Sequence, residues 1–333
     1  MENNKVVSKI VKLGSIKLSA EDITTATMEE KEQLFIMRES LTYWKDAIRR
    51  FKKNKVAVTA LIVIVLIVLF AFVGPLLSPY TYDQQMRDDR YTPPCAKYPL
   101  GTDIHGRDML VRCMIGARIS LGIGVFCAIL VVVIGTVYGA ISGYYGGTLD
   151  TVMMRILEIL YCLPDVLVIV LIQITLKAPL DAMFANSALG SSMISIFIAF
   201  ALLYWVNMAR MVRGQVLLLK QMEYVTAARA MRAKGKRIIF RHLIPNSIGV
   251  ILVTAMFQIP LAIFVEAFLS YIGLGVSAPL ASLGSLVSDS IGKFRTYPYL
   301  TIFPSILISL IILAFNLLGD GLRDALDPRL KSE

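Results

Sequence analysis

Six stretches of this chain each run for roughly twenty residues with little or no charge, and that pattern constrains its fold more than any other feature. A helix crossing about 30 Å of hydrocarbon needs about 20 apolar residues. The runs are 56–77, ending at Pro75 and Pro79; 119–145; 156–176, interrupted by Glu158, Pro164 and Asp165; 191–209; 248–272; and 300–318. Hydrophobic residues make up 56% of the 333 residues and charged ones 17%, against about 25% charged in soluble domains. A cytosolic enzyme, a disordered chain and a secreted disulfide scaffold are excluded. The expected class is an all-α polytopic membrane protein with about six transmembrane helices.

The net charge of +10 would suit a nucleic-acid partner in a soluble protein. Here basic residues instead mark the loops beside anionic headgroups, so membrane lipid and no nucleic acid is the expectation. Segments 1–55, 146–155, 210–247 and 320–333 hold 25 of the 34 Lys and Arg, and the alternate segments hold 9. That imbalance predicts both termini inside. Arg49, Arg50, Lys52, Lys53 and Lys55 directly precede the first run. Cys95, Cys113, Cys127 and Cys162 are widely spaced and only two histidines occur, which points to neither metal nor disulfides. The polar first fifty or so residues show no cleavable signal peptide.

Residues 1–39 read as a loosely ordered tail. In 40–55, Leu41, Trp44, Ile48 and Phe51 form one helical stripe, the pattern of an interfacial helix, with a regulatory contact as the alternative. Gly135, Gly139 and Gly143 recur every four residues, which suits close packing on a neighbouring helix or, alternatively, a pore lining. Segment 320–330, with Leu322 and Leu326 on one face and Pro328 as its stop, reads as a short amphipathic cap. Among carboxylates Glu266 alone lies deep in the fifth run: a functional group, or one paired near the interface. Gln173, Asn207, Gln258 and Asn316 are candidates to line a path.

The most informative stretch is Glu223 to Asn246, EYVTAARAMRAKGKRIIFRHLIPN. It reads as a helix with Tyr224, Ala227, Ala228 and Met231 on one small-residue face, and Lys220, Glu223, Arg229 and Arg232 around it. Gly235 is expected to break the helix, Ile238, Ile239 and Phe240 to anchor the return, and Pro245 to start the fifth span. His242 reads as a structural hydrogen-bonding residue, with a pH switch as the alternative. There is no G-x-x-x-x-G-K-[ST], so the chain does not bind ATP phosphates by that route, and no cofactor is expected.

This stretch resembles the EAA loop of ABC importer permeases, and more narrowly the oligopeptide/dipeptide/nickel branch of those inner-membrane components of binding-protein-dependent transport. Four further segments fit that branch in order: RRFKKNKVAV, YPLGTDIHGRDMLVRCMIGARISLGIG, EAFLSYIGLGV and AFNLLGDGLRDALDPRL. The chain departs from the motif at Thr226, where the family has Glu, and at Arg232, where it has Gly, so Gly235 is expected to take over the turn. Leu283 stands where many relatives carry Trp.

The resemblance implies a MetI-like permease fold: an interfacial segment in 1–55, a first helix at 56–77, an external loop at 78–118, a core at 119–319 with the coupling loop 213–247, and an inside tail at 320–333. It implies no enzyme activity of the chain's own. Implied partners are a second permease, two cytoplasmic ATPases whose clefts seat the coupling helix, and an extracytoplasmic binding protein, all at the inner membrane of a prokaryote. The cargo is a peptide or, alternatively, nickel or another small solute. Asp103, Arg107 and Asp108 read as a local Asp–Arg network or as receptor or gate contacts, and loop 273–299 faces the same side. A stand-alone secondary transporter predicts inverted repeats or paired intramembrane charges, and a membrane enzyme predicts a cluster of His, Asp or Glu; neither is evident.

Overall fold

Asn54 separates two helices because its side chain serves the second as a cap. It stands between α1 (Tyr43–Lys53) and α2 (Lys55–Phe72), and its Oδ1 accepts from the Ala57 N–H at 3.1 Å, filling one of the donors that a helix start leaves open. The computed structural model describes residues 43–184, 190–276 and 280–326. The predicted tail 1–39, Leu41, Pro328 and Leu330 lie outside them. The chain divides into two units, Met1–Asp46 and Ala47–Glu333; of the first, only the opening turn of α1 is described. Trp44 and Ile48 are both exposed.

Among the described residues six helical segments are long and apolar enough to cross a membrane, one for each predicted run, but several boundaries move. α3 (Met109–Tyr145) starts about ten residues before its apolar run. The charges that hid this start are satisfied locally. Arg112 pairs with Asp103, and Arg118 Nε donates to the Ala71 carbonyl at 3.0 Å, at the carbonyl end of α2, where a cation suits both the orphan carbonyl and the helix dipole.

The third span also moves. The run 156–176 straddles two helices, α4 (Gly147–Tyr161) and α5 (Asp165–Phe184), and α5 is the spanning one. Pro164 fits just ahead of α5, where it needs no donor of its own and its carbonyl accepts from the Val168 N–H at 3.1 Å. Glu158 belongs to α4 and pairs with Arg155 at 2.7 Å.

α6 (Gly190–Leu203) and α7 (Trp205–Leu219) meet at Tyr204 and give one span over Ser192–Leu219. It outruns Ala209 because Arg210 lies over the Tyr161 ring at 4.5 Å and Arg213 pairs with Asp150. After α8 (Glu223–Ala230) come α9 (Ile248–Tyr271), α10 (Leu283–Ile291) and α11 (Tyr299–Leu326). The separate C-terminal helix expected from Asp320 is not there: α11 runs unbroken to Leu326. A Cβ on Gly321 would lie 2.2 Å from that of Ala57, so the segment is pressed against α2. The loop 273–299 contains α10, begun by a reciprocal Ser282–Ser285 cap that its Ser-x-x-Ser spacing foreshadows.

α3 packs on α7, α9 and α2. The glycine stripe faces α7. A Cβ on Gly135 would come within 2.6 Å of Met208 Cβ, and one on Gly139 within 2.2 Å of the Ala209 carbonyl oxygen. Such backbone approach lets dispersion hold helices together where lipid supplies no hydrophobic drive. Gly139→Ala should therefore destabilise the protein by about 1–3 kcal/mol through overpacking. Gly122→Ala, where a Cβ meets nothing within 4 Å, should leave stability unchanged or raised. Thermal unfolding of both variants in detergent checks the contrast.

Candidate functional site

The segment between α7 and α9 is fastened at its start by charges placed on helix ends. Lys220, just past α7, donates through Nζ to the Gly143 carbonyl at 3.0 Å, in the last turn of α3. About two turns back, Arg213 grips Asp150 of α4 in a two-pronged pair of 2.6 and 2.5 Å, and the Ser142 hydroxyl donates to the same carboxylate. The Arg213 hydrogen bonds hold the Asp150 carboxyl below its ordinary value, against a smaller opposing effect of burial. α3, α4 and α7 thus share one anchor at this end.

α8 is only eight residues long, shorter than the predicted helix. Glu223 sits in its first turn and Arg229 in its last, each matching the helix dipole. Val225 and Ala228 turn inward onto a cluster that includes Ile238, Ile239 and Leu243, whereas Glu223, Tyr224, Thr226, Ala227, Arg229 and Met231 are exposed. The predicted face therefore splits. Tyr224, Ala227 and Met231 form an outward stripe at i, i+3 and i+7, but Ala228 is 3% exposed and belongs to the opposite side. The reason is mechanical: so short a helix cannot hold its place on its own, so part of it must be buried in the bundle.

The turn also differs from expectation. Arg232 itself adopts the left-handed conformation, φ +55°, while Gly235 opens the next helical segment, Gly235–Ile238. The Ala233 N–H bonds the Ala228 carbonyl at 3.1 Å and the Arg232 N–H bonds the Arg229 carbonyl at 2.9 Å, the paired bonds of a Schellman ending. Arginine thus sits in a backbone conformation that glycine adopts at less cost. Gly235 is needed for a different reason: a Cβ there would lie 2.9 Å from the Tyr144 ring at the end of α3.

The return path runs through a wide helical turn, Ile239–Leu243, and Ile244–Asn246 into α9. Ile238, Ile239 and Leu243 are buried, but Phe240, expected to anchor the return with them, faces outward. With Lys234, Lys236, Arg237, Arg241 and the exposed Pro245 it lines a basic surface groove. Burial pushes the Tyr224 hydroxyl upward, against a smaller opposing effect of the neighbouring Asn246 side chain. Asn246 Nδ2 also donates to the carbonyl of the half-buried His242 at 2.6 Å, and the His242 ring lies 6.4 Å from that of Tyr224. Arg229 covers the Tyr144 ring at 5.4 Å. α8 is thereby tied to both α3 and the start of α9.

The second predicted site folds onto itself. Asp103 Oδ2 accepts from Arg107 Nε at 2.7 Å and from Arg112; Oδ1 accepts from the N–H groups of His105 and Arg107 at 2.8 and 2.9 Å. Burial alone would raise the Asp103 carboxyl, but Arg112 and Arg107 outweigh it and hold it below its ordinary value. Asp108 caps α3 through the Leu110 N–H at 3.1 Å, and burial keeps its carboxyl above the ordinary value. Asp103 and Asp108 are buried and Arg107 half-buried, so their charge is spent on shaping the loop. The exposed side chains here are Ile104 and His105, which charge-based reading passed over.

Sequence comparisons find related chains. Residues 132–332 match the family described as binding-protein-dependent transport system inner membrane component, and residues 42–94 match the N-terminal TM domain of oligopeptide transport permease C. The chain is 46% identical to the oligopeptide transport system permease protein OppC of Bacillus subtilis (strain 168), over 89% of this chain and 93% of that one. It is 42% identical to the dipeptide transport system permease protein DppC of the same organism, over 91% of each. With the glutathione transport system permease protein GsiD of Pectobacterium atrosepticum it shares 38% identity, over 87% of this chain and 93% of that one.

Replacing Arg232 by glycine should relieve the left-handed strain and stabilise the protein by about 1 kcal/mol. Arg232→Val should do the opposite, since a β-branched residue tolerates this region worst. Unfolding temperatures of the two variants, compared in one detergent, check the sign.

Proposed function

Because this chain belongs to the family of binding-protein-dependent transport system inner membrane components, we propose that α8 is the surface through which cytoplasmic ATPases drive it. The chain is a peptide-importing permease subunit of an ABC transport system, multi-pass in the membrane and not itself an enzyme. The names of the three relatives above favour oligopeptides or dipeptides over nickel. The observation that carries the coupling reading is the outward stripe of Tyr224, Ala227 and Met231 on a helix tied by Arg229, Gly235 and Asn246 to two spans.

A small central side chain lets a partner's cleft close over the helix, and the flanking aromatic and thioether supply apolar contact. Movement of the seated helix then reaches α3 and α9 directly. In this reading both termini and α8 lie inside, as the loop charges favour, in the plasma membrane of a prokaryote. α1 rests at the headgroups with Trp44 and Ile48 toward lipid. Two ATPase subunits, a second permease that completes the path, and an external peptide-binding protein make up the assembly. The receptor meets the side that carries Ile104 and His105, and the ion pairs of Asp103 shape that loop.

Burial separates two substitutions that the sequence treats alike. Ala227→Asp should leave the permease folded and membrane-inserted but reduce ATPase co-purification and peptide uptake at least about tenfold. Ala228→Asp should instead destabilise the segment, by about 3 kcal/mol or more, because it buries an unpaired charge. Normal uptake by Ala227→Asp would overturn coupling through α8. Reporter fusions at Lys236 and Ser285 should read inside and outside respectively; the reverse pattern would overturn the orientation.

A further inference from the structure

Glu266 lies in α9, 20 residues beyond Asn246, and its side chain is fully buried. Three hydroxyls donate to it. Oε1 accepts from Ser270 at 2.8 Å and from Ser282, and Oε2 accepts from Ser120 at 3.4 Å. These serines belong to three different elements: α9 itself, the cap of α10, and α3.

Two of the serines have an acceptor site occupied by the start of α10. Ser282 Oγ accepts from the Ser285 N–H at 3.0 Å, and Ser120 Oγ accepts from the Leu283 N–H at 3.2 Å. With those lone pairs engaged, the hydroxyl protons are free to serve the carboxylate. Glu266 therefore orients the two groups that satisfy the open donors of α10. Packing leaves little slack around it: a Cβ on Gly284 would lie 2.5 Å from Ala267 Cα, and one on Gly116 would lie 3.2 Å from the Leu283 nitrogen.

α10 has nine residues, about 14 Å of helix and too short to span a bilayer. Its continuation reaches the loop that holds Asp103: Tyr297 stacks on Tyr91 at 4.2 Å between centroids, and the Tyr91 N–H donates to the Asp103 carbonyl at 3.2 Å. At its other end α9 joins the coupling segment, about 36 Å away along the helix. Pro260 interrupts the bonding of α9, yet that stretch is braced on α3, where a Cβ on Gly124 would lie 3.0 Å from Ile259 Cγ2.

We propose that Glu266 is a positioning residue that latches α10 to α9 through Ser282, so that displacement of the coupling segment is delivered by α9 to the face where peptide enters. This rests on the coupling role proposed for α8. Alignment rather than charge does the latching. A glutamine at 266 can accept from Ser270 and Ser282 through its oxygen and donate to Ser120 through its amide, which preserves the geometry. Ser282→Gly is tolerated at a cap and removes the hydroxyl that joins α10 to Glu266.

The test uses the complete assembly of both permeases, the ATPases and the peptide receptor in proteoliposomes, with ATP hydrolysis and peptide uptake measured together. Ser282→Gly should keep hydrolysis within about twofold while peptide moved per ATP falls at least about threefold. Glu266→Gln should hold that ratio within about twofold of wild type. If Ser282→Gly does not assemble, Ser282→Ala, which also lacks the hydroxyl, should lower the ratio by the same factor. A wild-type ratio in the assembled Ser282 variant, or equal loss in Glu266→Gln, overturns the latch. Should Ala227→Asp lose ATPase binding and uptake while the Ser282 variant keeps a wild-type ratio, the coupling function stands and the latch alone fails. Normal ATPase binding and uptake in Ala227→Asp, with a wild-type ratio in the Ser282 variant, removes both.

Discussion

The close approach of α3 to α7 is the contact on which the other features depend. Glycines at 135, 139 and 143 remove the side chains that would hold the two backbones apart, and without them the ridge of α7 could not enter the groove of α3. Once the helices touch, Lys220 reaches the last carbonyls of α3 and Arg213 reaches Asp150 on α4. Cations that would be costly inside a membrane are thereby placed where helix ends and a carboxylate receive them. The seam also fixes where the chain leaves α7, and hence where α8 can lie.

That placement explains how a helix of eight residues keeps its position. Alone it would be marginal. Here it is buried along Val225 and Ala228, closed by a left-handed Arg232, and stitched to α3 and α9 by Arg229 and Tyr224. Its exposed stripe is correspondingly narrow. Little intervening chain separates that stripe from the two spans. Gly235 and Tyr144 keep the return path equally tight.

Much of the fold was legible from residue order. Apolar runs identify six spans because lipid forces each crossing segment to satisfy its own backbone. Span boundaries were misread wherever a charge finds a specific partner. Arg112 and Arg118 look like loop residues until Asp103 and the Ala71 carbonyl are seen beside them. Arg210 likewise looked like an end until Tyr161 appeared over it. The helical segment between α7 and α9 is legible, but its inward and outward sides are not distinguished by residue type. Alanines at 227 and 228 are chemically identical, and only the direction of the bundle separates them. Arg232 shows the same limit, because nothing in an arginine announces a positive φ.

What the sequence by itself determined is the class of molecule: a largely helical membrane chain with basic loops and a helical segment between two of its spans. Those follow from local hydropathy and spacing, which each segment carries alone. Tertiary structure decided which side of α8 is free, that Asp103 and Asp108 are consumed in shaping their loop, and that Glu266 gathers three serines from α3, α9 and the start of α10. These are relations between residues up to 146 positions apart, and such distances in sequence become hydrogen-bond distances only after the helices have packed.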